Sequence, residues 1–401
     1  MMKRILYFNY MNDLYGSSIG STIKALKLLG GLEKHGWKVT FAWRRDGRNE
    51  PSRELRRRTI PFYSLLRRFL FTPKEIVFNL IDFFKECRLA RQIKPKLLIV
   101  RLDAFRISSL GVARLFKIPL IVEADGACSY EWIHYHGGPH LWKRPLLFCE
   151  RMMLRFADGV FTQSNISRIY YEQTHGRWKT NIVVIPNGAD PVEQTSKSET
   201  EAIQRELNLH NRDVIIGFLG SMHKWHGLQE VRDLLVELLC KQPHVKLMFV
   251  GGGGAQKDFI DSFPSLLRER IVFVRTVPYE LVGRYISLFS IAVAPYPPMP
   301  LFYFSPVKIF DYMAAGKAIV APRLGQIGEV LQHKVNALLY APGDFLEFYH
   351  HISTLSRDEA LRTRLGKQAR ETFMRAHTWD VRSAELDRFL RRRLSSFSPS
   401  E

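Results

Sequence analysis

The chain is short of cysteine, of acidic residues and of long apolar runs, and each shortage excludes something. Its four cysteines, Cys87, Cys128, Cys149 and Cys240, are scattered through 401 residues without a Cys-x-x-Cys pair. A disulfide framework or a cysteine-based zinc site is therefore not expected, and a reducing cytosol is. No spacing of His, Cys and carboxylate residues makes a metal site. No stretch reaches the roughly 18 uninterrupted apolar residues that a spanning helix needs. The most apolar region, residues 60–84, is broken by Arg67-Arg68 and by Lys74-Glu75. Lys3-Arg4 runs straight into Ile5-Leu6-Tyr7-Phe8 without a small-residue cleavage site, so no signal peptide is expected. No internal repeat is visible.

The acid shortage leaves 59 Lys and Arg against 39 Asp and Glu, a formal charge of +20. It is unevenly placed: residues 1–190 hold 32 of those cations against 16 of the anions. Much of the excess lies between Arg44 and Arg68, including Arg56-Arg57-Arg58, beside Phe62, Leu65, Leu66, Phe69, Leu70 and Phe71. Cations for anionic headgroups and apolar groups for the acyl boundary are what a peripheral membrane contact requires. At about 1 kcal/mol per cation near an anionic leaflet, a handful gives reversible docking. The same residues also suit a solvated loop and helix face. Nucleic acid is not an expected partner, because none of its recognisable binding modules is present.

What is there is the composition of a folded protein, 46% apolar and 24% charged, long enough for two cores. Strand-like and helix-like segments alternate throughout, which predicts an α/β class with mainly parallel sheets. Strands are expected at Arg4–Asn9, Val39–Trp43, Leu97–Val100, Leu120–Val122, Val160–Thr162 and Ile182–Ile185. Thr72-Pro73-Lys74-Glu75 reads as a capping box opening a helix to about Arg91. Pro186-Asn187-Gly188 marks a turn, and Asp190–Ala202 reads as an unpatterned linker. A second set of strands follows at Asp213–Gly220, Lys246–Val250, Ile271–Val274, Ile291–Ala294 and after Gly316; beyond Phe345 the chain reads as helix. The expected division is a first domain over 1–190, a second over 191–377, a last helix over about 378–394, and a disordered tail from Ser395 to the end.

The most informative stretch is Phe304-Ser305-Pro306-Val307-Lys308-Ile309-Phe310-Asp311-Tyr312-Met313-Ala314-Ala315-Gly316, followed by Lys317-Ala318-Ile319-Val320. Ser305 suits an N-cap, Pro306 the first helical position, and Gly316 a helix end. Ile309, Phe310, Met313 and Ala314 are expected to bury one face, with Lys308 and Asp311 together on another. A helix N-terminus attracts phosphate, and a carboxylate one turn on can hold ribose hydroxyls; an ordinary capped helix on a sheet has the same pattern.

This stretch resembles the nucleotide-sugar motif of the retaining GT-B glycosyltransferases, in particular glycosyltransferase family 4 (group 1), which often reads Ser-Pro-x-Lys-x-Phe-Glu-Tyr-Met-Ala-x-Gly-Lys-Pro-Val-Val. The resemblance implies two Rossmann-like domains facing a central cleft, with the last helix packed back on the first domain. It also implies a metal-independent transferase that moves a hexose-type sugar with retention of configuration. The donor is then a UDP- or GDP-linked sugar bound as substrate, with no cofactor. The acceptor is lipid-linked or a polysaccharide, at the cytosolic face of a membrane. The Asp-x-Asp pair of metal-dependent glycosyltransferases is missing.

The same resemblance assigns residues. In Gly220-Ser221-Met222-His223-Lys224-Trp225-His226-Gly227 the family's usual Arg and Lys are replaced by Ser221 and His226. Lys224 and His226 are therefore jointly expected to receive the leaving pyrophosphate, although a His beside a Gly is often only a turn residue. Asp311 takes the ribose, and Tyr303 stands where a carboxylate normally touches the transferred sugar. That sugar is then held by the Tyr303 hydroxyl and by backbone N–H groups of Phe304, Ser305, Val307 and the turn around Pro306, with Lys308 beside the diphosphate. Gly16 to Gly20 resembles the first glycine loop. Gly251 to Gly254 reads as a structural bend, and Thr276-Val277 as the backbone that meets the base. On the acceptor side Asp125, Glu131 and His134 follow a strand, and Asp125 or His134 is expected to orient the acceptor hydroxyl. His134 and His136 serve equally well as surface residues. Two rivals remain: a sugar-nucleotide epimerase, and a non-catalytic partner subunit of the same fold.

Overall fold

The computed structural model describes residues 3–9, 19–43, 61–134, 142–176, 182–193, 196–252 and 256–397. The chain divides into two units, Met1–Pro186 with Trp379–Glu401, and Asn187–Thr378. Each is a parallel sheet clothed in helices, as the alternation of segments predicts.

In the first unit the strands are β1 (Lys3–Asn9), β2 (Trp37–Trp43), β3 (Leu97–Arg101), β4 (Leu120–Glu123), β5 (Gly159–Thr162) and β6 (Ile182–Val184). Their order is β2-β1-β3-β4-β5-β6, every pair parallel. They are continuous apolar runs rather than alternating ones because both sheet faces are covered. Leu6, Phe8, Leu98, Val100, Leu120 and Val122 line one core. Ile5, Tyr7, Leu97, Ile99 and Ile121 line the other, with Trp379, Leu386 and Phe389 of the helix Trp379–Phe397. That helix is also tied by Trp37, whose Nε1 donates to Asp387 at 2.6 Å.

Three expectations need correction. The helix over 72–91 is a single helix from Pro61 to Ile93, and Thr72-Pro73 lies inside it rather than at its start. The apolar positions 62, 65, 66, 69, 70, 77, 80, 81 and 84 keep one helical phase across Pro73. Propagating an existing helix costs far less than nucleating a new one, so the repeat outweighs one missing backbone donor. The stretch 190–202 is not all linker. A helix spans Lys197–Glu206, its N-terminus capped by Ser196, which accepts from the Glu199 N–H at 3.2 Å. Ser395, expected to open a disordered tail, is helical, because helix continues to Phe397. Ser395 and Ser396 donate their hydroxyls back to Arg392 and Arg393 carbonyls, each at 2.9 Å.

The second unit holds β7 (Val214–Leu219), β8 (Val245–Val250), β9 (Ile271–Val274), β10 (Ile291–Val293), β11 (Ala318–Pro322) and β12 (Leu338–Tyr340). Only β12 is missing from the sequence reading; three residues are too few to show a period. The order is β12-β11-β10-β7-β8-β9, again all parallel. From β7 the chain winds outward through β8 to β9, then returns and winds the other way through β10. Between β7 and β10 the winding reverses, and in such sheets a crevice opens there at the strands' carboxyl ends.

Candidate functional site

The helix that follows the reversal, Val307–Ala314, is buried from Lys308 through Ala314. The expected two-faced helix is thus a core helix, and Lys308 and Asp311 are themselves only 8% exposed. Tyr312 explains how it is seated. The Tyr312 hydroxyl accepts from the Leu219 N–H at 2.8 Å and donates to the Val293 carbonyl at 3.2 Å. One phenol therefore joins the ends of β7 and β10 at the point of reversal.

The start of this helix differs from expectation. Ser305 does not cap it: Pro306 occupies the cap position in extended backbone, with no side-chain cap bond. The Ser305 hydroxyl instead accepts from the Asn187 N–H at 3.0 Å, and the Asn187 side-chain amide donates to the Ser305 carbonyl at 2.6 Å. A residue read as a turn marker is thus the clamp on the helix entry. Tyr303 is buried, its ring 4.3 Å from that of the half-buried Phe304.

Lys308 reaches from this helix to the end of β7. Its Nζ lies 4.0 Å from the centroid of the Phe218 ring and 5.3 Å from that of Tyr296. It is shielded from solvent and has no hydrogen-bond partner among the described residues. Gly220, at φ 126°, makes room: a Cβ there would fall 3.2 Å from Lys308 Nζ and 3.9 Å from His226 Cε1. Burial pushes the Lys308 ammonium down to about 7, opposed by Asp311. Burial, with Asp190 adding to it, pushes the Asp311 carboxyl up to about 8.

The turn after β7 separates the two residues expected to act jointly. Lys224 is exposed in the short 3-10 turn Lys224–His226. His226 is half-buried, its ring against Phe218 and Tyr296, with Nδ1 bonded to the Ser221 carbonyl. Burial, then the nearby Lys308, drive His226 down to about 2. With Nδ1 bearing the hydrogen given to Ser221, Nε2 is left as an acceptor. Lys308, rather than His226, is thus the buried nitrogen beside Gly220 without a hydrogen-bond partner among the described residues. Gly251, at φ 141°, fits against Gly220, whose carbonyl oxygen would lie 2.4 Å from a Cβ on it. Thr276 and Val277 follow β9 at the same carboxyl edge, Thr276 exposed and Val277 half-buried.

In the first unit the residues expected on the acceptor side differ in exposure: Asp125 is buried, Glu131 half-buried and His134 exposed. Asp125 is 3% exposed; one carboxylate oxygen pairs with Lys24, the other accepts from Arg101 at 3.0 Å. Lys24 also meets Glu123 at 3.1 Å, and Glu123 accepts from the Tyr7 hydroxyl at 2.7 Å. Against the upward push of burial, Lys24 and Arg101 hold Asp125 below the usual carboxylate range. Its charge is paired within the fold. Glu131 folds over Gly126, where a Cβ would come 2.5 Å from its Oε1, and the exposed His134 lies on the Tyr130 ring at 4.2 Å. Gly16 and His136 lie outside the described residues. Among the described residues no three His, Cys, Asp or Glu side chains gather as a metal group.

Two doubly wound parallel sheets clothed in helices define the class: an α/β protein of two Rossmann-like units. The particular family follows from comparison. The chain belongs to the group 1 glycosyltransferases of family 4 type, matching the models "Glycosyl transferases group 1" over residues 213–358 and "Glycosyl transferase 4-like domain" over 20–188. It is 30% identical over 233 residues to a D-inositol 3-phosphate glycosyltransferase of Corynebacterium jeikeium (strain K411), covering 55% of this chain and 54% of that one. The chain spans about half the length of the curated relatives it matches. Sucrose-phosphate synthase from Thermosynechococcus elongatus has a similar fold, with TM-score 0.71 at 20% identity over 98% of this chain and 100% of that one. So does Anabaena HepE in complex with UDP-glucose, with TM-score 0.65 at 17% identity over 96% and 99%. The fold is GT-B.

Proposed function

We propose that the protein is a glycosyltransferase of glycan biosynthesis that moves a hexose-type sugar from a UDP- or GDP-linked donor, with retention and without a metal ion. The convergence of Gly220, Lys308 and Asp311 where the winding of the second sheet reverses carries this reading. The diphosphate meets Lys308 and the N–H groups at the start of the Val307–Ala314 helix, with Lys224 at the rim of the turn. Asp311 accepts from the ribose hydroxyls, and the Tyr303–Pro306 segment holds the sugar. Stabilising the departing diphosphate is then the main catalytic contribution. An oxocarbenium-like centre forms, and the acceptor hydroxyl attacks from the face the diphosphate leaves, giving its proton to the departing phosphate oxygen. No dedicated protein base is needed.

The acceptor is assigned to the first unit, and a lipid-linked or polysaccharide acceptor agrees with its basic charge and a peripheral place on an anionic membrane surface at the cytosolic side. No helix among the described residues is long and apolar enough to cross a membrane. A likeness to a complex with UDP-glucose supports a nucleotide sugar as donor.

The test is transfer or slow hydrolysis of a panel of UDP- and GDP-sugars by the full chain in EDTA. Turnover is expected, and Asp311→Ala is expected to cut kcat/KM about tenfold, the loss of one buried hydrogen-bond partner for the ribose. A strict divalent-ion requirement, or unchanged kinetics in Asp311→Ala, overturns the assignment. Conversion of the sugar without any acceptor would favour an epimerase; failure to bind UDP or GDP would favour a non-catalytic subunit.

A further inference from the structure

Lys308 is an anomaly that the donor site alone does not explain. A lysine ammonium carries three donors and is strongly hydrated, so burying it without partners is costly. Here Nζ is out of contact with solvent and without a hydrogen-bond partner among the described residues, resting 4.0 Å from the Phe218 ring centroid. The ring faces of Phe218 and Tyr296 favour an ammonium, but they replace neither its hydration nor its three hydrogen bonds. On its own helix Asp311 is one turn on, and it carries Asp190 beside it. From the turn after β7 comes His226, held neutral with its Nδ1 hydrogen on Ser221, and His223 lies 6.4 Å from His226 between ring centroids. From the loop after β10 comes Tyr296, whose phenol is pushed upward by burial and so stays uncharged. Phe218 and Gly220 close the remaining side. No anion is held in ion-pair contact with Nζ among the described residues.

We propose that Lys308 is stored as an uncharged amine over Phe218 and becomes a cation only when a nucleoside diphosphate arrives, so that donor binding takes up a proton at this nitrogen. This rests on the donor-site reading above and extends it: the site makes its positive charge in response to the ligand's negative charge. The amine nitrogen gains the proton from solvent, forming an N–H bond that is donated to a phosphate oxygen. When the diphosphate leaves, the proton returns to solvent. The downward shift of Lys308 to about 7 agrees with an amine largely uncharged at pH 8. The sign follows from linkage: the bound form holds more protons than the free form, so affinity falls as pH rises above about 7.

The experiment is calorimetric titration of the full chain with UDP and with GDP at pH 8, in two buffers of different ionisation enthalpy. Because Asp311 also titrates in this range, the measurement is made on Asp311→Asn as well as on the native chain. In Asp311→Asn about one proton is expected to be taken up per nucleotide bound, and affinity is expected to fall up to about tenfold per pH unit above 7. Lys308→Met, close in shape and suited to a buried site, is expected to bind more weakly and to take up no proton. Lys308→Arg, charged at every pH used, is expected to show no uptake at whatever affinity it retains. Binding without proton uptake in Asp311→Asn overturns the proposal while leaving the donor site intact, and so does uptake that persists in Lys308→Met. Failure of either nucleotide to bind the native chain overturns the donor reading and this proposal with it.

Discussion

Tyr312 does its work through a single oxygen. It accepts from a strand-end N–H of β7 and donates to a strand-end carbonyl of β10, 2.8 and 3.2 Å away. Removing that oxygen leaves both backbone groups without this partner, and a buried polar group deprived of its partner costs about 1–3 kcal/mol. Tyr312→Phe is therefore expected to lose about that much stability in urea titration with little change in m-value. Nucleotide affinity should fall with it, because the two strand ends flank Lys308. A variant as stable as the native chain would show that the phenol fills space only. Asn187 acts in the same way at the other end of the helix, where both its N–H and its amide hold Ser305.

At the scale of elements, the second unit depends on two strand-to-loop turns that touch. Gly220 and Gly251 both have positive φ, which favours glycine, and their backbones approach too closely for a side chain. In Gly251→Ala the new Cβ meets the Gly220 carbonyl, which belongs to backbone and cannot rotate away. Strained backbone of this kind costs about 1–3 kcal/mol. The expected result is a lower Tm together with weaker UDP or GDP binding, since Gly220 also makes the room beside Lys308. Unaltered binding with a lowered Tm would separate the turn from the site. In the first unit, the helix Pro61–Ile93 shows what an element can do that a motif cannot. Asn79 on its inner side accepts from the N–H groups of Ile107 and Ser108, at 2.9 and 3.2 Å, and so fixes the start of the helix Ser108–Phe116. Val77, Leu80, Ile81 and Phe84 remain exposed, a stripe at helical spacing.

For the whole molecule the relevant quantity is charge. The net charge is +20, with the larger share before residue 190, and under the proposed peripheral location that charge would draw the protein to an anionic surface while the exposed stripe met the acyl boundary. Co-sedimentation with vesicles rich in phosphatidylglycerol is expected at 0.1 M NaCl and should decline steeply by 0.5 M, where screening shortens the reach of charge. Leu80→Glu with Phe84→Glu is expected to weaken vesicle binding at least about tenfold with Tm unchanged, because both side chains are already exposed. Equal binding to neutral vesicles, or no loss in the double variant, would remove the membrane from the proposed function.

The sequence by itself determined the α/β class and most strand positions, because buried parallel strands are local apolar runs and the turns between them are local chemistry. It also carried the Ser305–Gly316 stretch, whose residue order is specific enough to indicate the family. It did not determine which lysine is buried beside Gly220. Lys224 and Lys308 are both lysines near glycines in the chain, and the difference between them is solvation. Residues distant in sequence create that difference: Phe218 from β7, Tyr296 from the loop after β10, and the space left by Gly220. Asp125 shows the same limit, since its partners Lys24 and Arg101 come from other elements and consume the charge that its local setting offers. Pattern and propensity are properties of neighbours along the chain, whereas burial, ion pairing and the protonation they impose belong to neighbours in space, and only the folded sheets bring those together.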